Sequence, residues 1–307
     1  MSASLTFQQL QDIYKNGKLA GSWLICGEKG VGKHTLVRQF IHFLTGSASD
    51  FHPDVKWITR DYTDKEKKDI IKTLQEGRVL DEDAERARKA EITVDDIAQG
   101  LVFLGLTSAK NQWRVLVIDL AEDMNVNAAN ALLKRLEEPT PQAVIFLISH
   151  NKGKLLPTIR SRCRTLTVAP ATDKEIATFL NDFDLTFEDK AFIVHLANGS
   201  FGLAQDLATC DAASLYTEMT DLLSSAQSND ADLISFCSRM LADETKANVL
   251  QVLISHYFLE HLTQAQQPKL WLDLWENFQH TQRDIVTLNL EKKDVYVDFF
   301  CQLGRLR

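Results

Sequence analysis

The stretch SWLICGEKGVGKHT, residues 22–35, decides the fold class of this 307-residue chain. The apolar run at 22–26 predicts a buried strand, and the spacing of apolar residues along 33–44 predicts a helix. Glycines between a strand and a helix let backbone N–H groups turn inward around phosphates, and the helix N-terminus adds positive potential. The stretch therefore predicts a phosphate-binding loop within an α/β domain.

The candidate nucleotide-binding residues of this loop are its glycines, its lysine and the two residues that follow: Gly27, Gly30, Gly32, Lys33, His34 and Thr35. The spacing fits a P-loop, in which Lys33 reaches the outer phosphates. His34, however, occupies the position where a Ser or Thr hydroxyl should bind Mg²⁺, and imidazole is a poor ligand for that ion. Thr35 follows that position by one residue, so its side chain leaves the helix about 100° further around the axis. Two interpretations stay open: ATP and Mg²⁺ bind here, or an inherited loop keeps its shape without efficient metal handling.

A second apolar run, RVLVI at 114–118, ends at Asp119, which is the position of the acid that holds a Mg²⁺-bound water in P-loop proteins. Asp119 alone is also compatible with a helix N-cap or a loop acid. The next residue is Leu120, where hydrolytic relatives place an acid that polarises water, and leucine accepts no proton. Together with His34, this residue predicts that hydrolysis by the chain itself is absent or very slow.

The domain organisation follows from the order of strand and helix signals. Continuous apolar runs at 22–26, 114–118 and 143–149, with helical patterns between them, indicate a parallel sheet covered on both faces. After residue 168 the strand signal fades and helical periodicity dominates to the end. We predict an α/β P-loop domain at 1–168, a small helical domain at 169–210 and a helical C-terminal domain at 211–307.

Composition narrows the function classes. The net charge of −8 argues against nucleic-acid binding through the whole surface, but leaves open a local basic strip or membership of a larger assembly. We see no apolar run near the roughly 20 residues that span a bilayer, and no secretory signal, so we expect a cytoplasmic protein. Five dispersed cysteines do not suggest a disulfide framework. The charged stretch at 61–91 is interpreted as a solvated helix or excursion.

Two further segments carry a family resemblance. NAANALLKRLEEP at 127–139 and LLPTIRSRC at 155–163 resemble signature segments of bacterial clamp-loader subunits of the AAA+ class. The resemblance is firm over 20–50 and 110–205 and loose over the C-terminal third. It implies an AAA+ P-loop domain, a helical lid domain and an all-α collar. It also implies partners: other subunits of a hetero-oligomer, and a sliding clamp and primed DNA contacted through that complex.

The resemblance assigns Arg162 a role as an arginine finger that enters the ATP site of an adjacent subunit, while this chain acts as a non-hydrolysing stator. A guanidinium on developing phosphate charge is worth about 10³–10⁵ in rate. Two other interpretations remain for Arg162: a surface ion-pair arginine, or part of a basic strip with Arg160 and Arg164 near DNA phosphates. Cys163 is interpreted as a packed small residue rather than a nucleophile.

The chain departs from the family pattern in several places. Family members often carry a Cys₄ zinc module, but residues 46–60 contain no cysteine, so we expect no zinc and no metal site. The arginine that hydrolytic relatives place after a Gly-Ser pair is replaced by Gly202. Ser149 or His150 occupies the γ-phosphate-sensing position, although a strand-end cap explains either equally well. The alternative function is an independent P-loop ATPase working in cis.

Overall fold

A computed structural model of the chain describes residues 3–47, 52–60, 90–106, 108, 113–138, 140–224, 230–288 and 290–305. These residues form two compact units, Met1–Ala171 and Thr172–Arg307. Most of the charged stretch at 61–91 lies outside the described residues, so its interpretation stays a prediction.

The first unit is built around five strands, all parallel, in the order β2-β3-β4-β1-β5. Its elements, in chain order, are α1 (Ala3–Lys15), β1 (Gly21–Cys26), α2 (Lys33–Thr45), β2 (Val55–Ile58), α3 (Val94–Gly105), β3 (Arg114–Ile118), α4 (Val126–Glu137), β4 (Ala143–Ser149), α5 (Pro157–Arg162) and β5 (Arg164–Thr167). The predicted parallel α/β sheet is confirmed.

The central strands β1, β3 and β4 are mainly apolar because both faces of the sheet are covered, and their polar side chains, Ser22, Arg114 and Ser149, lie at or near strand ends. Along each strand, successive side chains enter opposite layers of core. Leu24 and Leu147 pack in one layer, with α3, α4 and α5, whereas Ile25 and Phe146 pack in the other, with α1 and α2. Each fully buried side chain of this size contributes roughly 1.5–3 kcal/mol, so these alternating residues hold the sheet between its helices.

Local signals fix where the helices of this unit begin. Thr93 caps α3 in a reciprocal capping box with Asp96. Asn125 caps α4 by accepting a hydrogen bond from the backbone N–H of Ala128. These caps fix where α3 and α4 begin.

The second unit is entirely helical over its described residues. Its helices are α6 (Asp173–Phe179), α7 (Phe187–Ala197), α8 (Phe201–Thr209), α9 (Ala212–Ser224), α10 (Asp230–Met240), α11 (Glu244–Leu262), α12 (Pro268–Leu288) and α13 (Lys292–Arg305). Trp271 and Phe278 of α12 are buried, and Trp275 stacks on Phe258 with ring centroids 4.7 Å apart. These α12 aromatics are therefore part of the core in which the helices pack. The division of this unit at residue 210 stays a prediction.

None of the described helices combines the length and apolar composition needed to cross a membrane.

Candidate nucleotide-binding loop and surface arginine

The loop between β1 and α2 needs glycine at three positions for structural reasons, and Gly30 is one of them, with φ 83°. Gly27 has φ 157°, and a Cβ placed there would lie 2.5 Å from the backbone oxygen of Val168 and 3.2 Å from Val31 Cγ2. Gly32 caps α2 in the left-handed conformation, with φ 88°. The glycine spacing read from the sequence therefore corresponds to a turn whose backbone passes close to the end of β5.

Lys33 is buried at the start of α2, with 3% of its surface exposed. Its ammonium donates hydrogen bonds to the backbone oxygens of Gly27, at 2.8 Å, and Glu28, at 2.5 Å. Burial lowers the pKa of Lys33 to about 8, while the negative charges of Glu122 and Asp119 act in the opposite direction. An ammonium has three donors, so beyond these two described acceptors one N–H remains to contact a phosphate.

The two residues after Lys33 do not supply the usual Mg²⁺ ligand. The His34 ring packs against Trp57, with ring centroids 4.6 Å apart, and Thr35 is exposed. Asp119 follows β3 directly, and its backbone N–H donates to Ile58 O at 2.9 Å. Phosphate contacts therefore fit the loop, whereas the hydroxyl ligand to Mg²⁺ at position 34 is replaced by a ring packed on an aromatic neighbour.

Glu122 is a site residue that sequence reasoning missed. Its Oε1 accepts backbone N–H groups of His150, at 2.8 Å, and Asn151, at 3.3 Å. Its Oε2 is buried and has no hydrogen-bond partner among the described residues. The signal in the sequence is an acid three residues after Asp119, whereas the usual position of a second acid, directly after Asp119, is occupied by Leu120. Leu120 itself adopts the left-handed conformation, with φ 57°, as the chain turns from Asp119 toward Glu122.

Ser149 and His150 end β4 close to this group. Ser149 is fully buried, and its Oγ accepts the backbone N–H of Asn151 at 3.2 Å. Burial lowers the pKa of the His150 imidazole, and the Lys33 charge lowers it further. Four site residues thus lie together near the C-terminal ends of β1, β3 and β4: Lys33, Asp119, Glu122 and His150. Open parallel sheets bind ligands at the C-terminal ends of their strands.

Arg162 lies near the start of the strands, whereas the loop follows the end of β1. Arg162 precedes β5, whose Arg164 pairs with Trp23 of β1. Four residues separate Trp23 from Gly27, so at about 3.3 Å per residue the loop begins roughly 13 Å further along the strand. Arg162 donates from Nε to Glu137 Oε1 at 2.5 Å and from Nη1 to Thr158 O at 3.0 Å.

The neighbours of Arg162 have different surroundings. The guanidinium of Arg164 lies 5.3 Å above the Trp23 ring and donates to Lys18 O at 2.8 Å. Arg160 is exposed. Cys163 is buried, and burial raises the pKa of its thiol to about 12, so it is a packed thiol, as expected. The three arginines therefore do not form a uniform strip, because Arg164 is engaged with β1.

Within the described part of the chain, no group of three or more His, Cys, Asp or Glu side chains is arranged to hold a metal ion. His52 accepts the backbone N–H of Asp54 at 3.2 Å. The expectation that the protein contains no zinc stays a prediction.

The strand order, the glycine-lysine loop after β1 and the aspartate after β3 define a P-loop protein of the AAA+ class. The family is more specific. The chain belongs to the family described as DNA polymerase III, delta subunit, whose model matches residues 3–172, more than half of its length. The clamp-loader resemblance is therefore confirmed, and relatives named delta-prime make the chain a delta-prime-like member.

Individual relatives agree with this assignment. A DNA polymerase III subunit delta' from Pseudomonas aeruginosa is 50% identical over 72 residues, covering 24% of this chain and 22% of that protein. A DNA polymerase III subunit gamma from Buchnera aphidicola is 30% identical over 200 residues, covering 62% of this chain and 51% of that protein. The matches thus span well under two thirds of these relatives.

A solved structure of a DNA polymerase III gamma subunit-related protein from Thermotoga maritima resembles the whole chain. The TM-score is 0.58 at 19% identity, over 98% of this chain and 99% of that one. At this identity the likeness supports the fold alone, and it agrees with an α/β domain followed by helices.

Proposed function

We propose that the chain is a delta-prime-like clamp-loader subunit that acts as a non-hydrolysing stator and supplies Arg162 in trans to the ATP site of a neighbouring subunit. The observation that carries this proposal is that Arg162 lies next to the start of β5, whereas the chain's own loop follows the end of the neighbouring strand β1. Separation by roughly 13 Å of strand keeps Arg162 away from its own loop and leaves a partner's nucleotide as its target.

The chemistry asked of Arg162 is electrostatic. Phosphoryl transfer develops negative charge on the transferred group, and a guanidinium presents a permanent positive charge with planar donors to it. The Arg162 side chain is 33% exposed, so it is accessible to a neighbour while it is also held by Glu137. The partners implied are the other subunits of a hetero-oligomer, with the sliding clamp and primed DNA reached through that complex.

The chain's own loop is suited to holding phosphate rather than to hydrolysis. Gly27, Gly32 and Lys33 would contact a bound polyphosphate, and Asp119 would face a Mg²⁺-bound water. Leu120 provides no proton acceptor, and Oε1 of Glu122 holds the end of β4. A bound ATP would supply phosphate charge for Lys33 to neutralise. ATP and Mg²⁺ are therefore proposed ligands, not substrates turned over here.

The test is steady-state ATP hydrolysis and clamp loading by complexes reconstituted with Arg162→Ala, compared with Arg160→Ala as a matched control two residues away. We expect Arg162→Ala to lower turnover at the neighbouring site by about 10³-fold or more, because a finger of this kind contributes that much. Arg160→Ala should leave turnover unchanged. Equal turnover for the two variants would reject the finger assignment.

An independently active P-loop ATPase is the second candidate, and the proximity of Lys33 to Asp119 at the ends of the strands favours it. It predicts Mg²⁺-dependent hydrolysis by the purified, isolated chain that Lys33→Ala abolishes. An isolated chain without turnover would support the stator instead. Clear turnover by the isolated chain that disappears in Lys33→Ala would reject the stator function and support the independent ATPase.

A further inference from the structure

The C-terminal end of α4 is held in place next to Arg162. Leu132 and Leu136 of this helix are buried in the core, and the backbone N–H of Glu138 closes the last turn on Lys134 O at 3.1 Å. Arg135 Nη1 donates to Thr140 Oγ1 just beyond the helix. Glu137 therefore projects its carboxylate from a backbone whose position is fixed on both sides.

The guanidinium of Arg162 is held on one side only. Its Nε donates to Glu137 Oε1 at 2.5 Å, and its Nη1 contacts Thr158 O at 3.0 Å and Ser161 Oγ at 3.4 Å. A guanidinium has five N–H donors in one plane, and these contacts engage three of them. The two donors of Nη2 have no acceptor among the described residues. This arrangement suits a finger, because one side of the guanidinium is anchored and Nη2 keeps its donors for another acceptor.

We propose that Glu137 is a positioning residue that fixes the orientation of the Arg162 guanidinium so that Nη2 faces the phosphate of the adjacent subunit. The inference rests on the proposed function, since it concerns how that finger is aimed. An arginine side chain has many rotamers, and a neighbour's transition state gains only from the orientation that reaches it. By holding the guanidinium, Glu137 reduces the number of rotamers that Arg162 samples before the subunits meet.

The ion pair is poorly suited to a purely structural role. The side chains of Arg162 and Glu137 are 33% and 49% exposed, and pairs with this much solvent contact add little to stability. Replacing Glu137 should therefore leave the fold intact and change only where the guanidinium points. Glu138 provides a matched control, because it is an adjacent, exposed glutamate with no described side-chain contact to Arg162.

The experiment measures ATP turnover by reconstituted complexes carrying Glu137→Ala, Glu137→Gln or Glu138→Ala, each alone and combined with Arg162→Ala. For Glu137→Ala we expect kcat to fall about 10- to 100-fold, the size of effect that a misplaced catalytic group gives, with little change in KM for ATP. Glu137→Gln keeps an oxygen acceptor for Nε and should lose less. Glu138→Ala should match the unmodified complex.

The double variant separates positioning from any other role. If Glu137 acts through Arg162, Glu137→Ala should cause no further loss once Arg162→Ala is present. Equal turnover for Glu137→Ala and Glu138→Ala, faster turnover for Glu137→Ala, or additive losses in the double variant would each overturn the positioning role. If Arg162→Ala alone has no effect, the proposed function fails instead, so the two failures are distinguishable.

Discussion

Replacing Gly27 by alanine adds one methyl group where the candidate loop passes close to the end of β5. The new Cβ would lie 2.5 Å from Val168 O, well inside contact distance, and 3.2 Å from Val31 Cγ2. Val168 has little room to withdraw, because its own N–H donates to Cys26 O at 2.7 Å and continues the pairing of β5 with β1. The clash is therefore between two backbone segments rather than with a flexible side chain.

Two costs add at this position. Overpacking that forces backbone shifts costs roughly 1–3 kcal/mol. Holding a residue with a Cβ at φ 157° is strained and costs a further 1–3 kcal/mol or so. We expect Gly27→Ala to lower the free energy of unfolding of the first unit by about 2–6 kcal/mol, a large part of the 5–15 kcal/mol typical of a domain. Polyphosphate binding should weaken with it.

Hydrogen exchange followed by mass spectrometry suits this measurement because the chain contains two compact units, and a single denaturation curve would mix them. Peptides from β1 and β5 report the opening free energy of the affected unit. Gly105→Ala is the control, since its Cβ meets nothing within 4 Å and it ends a helix. That variant should be neutral or up to about 1 kcal/mol more stable. A loss below about 1 kcal/mol for Gly27→Ala would refute the close approach of Gly27 and Val168.

Two further predictions concern groups buried in the separate units. Burial holds the pKa of Lys33 at about 8, so its charged fraction falls about tenfold between pH 7 and pH 9, and calorimetry should show polyphosphate affinity falling by a similar factor. The unfolded state binds more protons between pH 8 and the ordinary lysine pKa of 10.5, so the free energy of unfolding should rise with pH over that range. Lys33→Met should remove both pH dependences. A polyphosphate affinity that is the same at pH 9 as at pH 7 would contradict the role of Lys33 in phosphate binding. In the second unit, the buried Tyr296 hydroxyl donates to Gln251 Oε1 at 3.0 Å and accepts from Gln282 Nε2 at 2.8 Å. Tyr296→Phe should cost about 1–3 kcal/mol in urea unfolding, more than Tyr216→Phe at an exposed hydrogen bond; equal losses would argue against the buried network.

Local sequence patterns predicted most of the first unit. The run at 143–149 became β4 with the same bounds, and the run at 114–118 became β3, because strands buried on both faces are nearly continuous apolar runs. The helix predicted to begin at Lys33 does so. The edge strand β5 was missed, since its side chains are mostly exposed and carry no continuous apolar run. Helix α1 was missed as well, although its Leu10 is fully buried.

The sequence by itself determined the phosphate-loop type, the missing acid at Leu120 and the presence of Arg162, because these features depend on residue identity and short spacing. Only the tertiary structure decided which groups meet. Glu122 binds backbone 28 residues away, and Glu137 binds an arginine 25 residues away. The parallel pairing of β5 with β1 also placed Arg162 at the opposite end of the strands from the loop. Contacts between distant residues depend on how strands pair and helices pack, and no short-range pattern in the chain encodes that pairing.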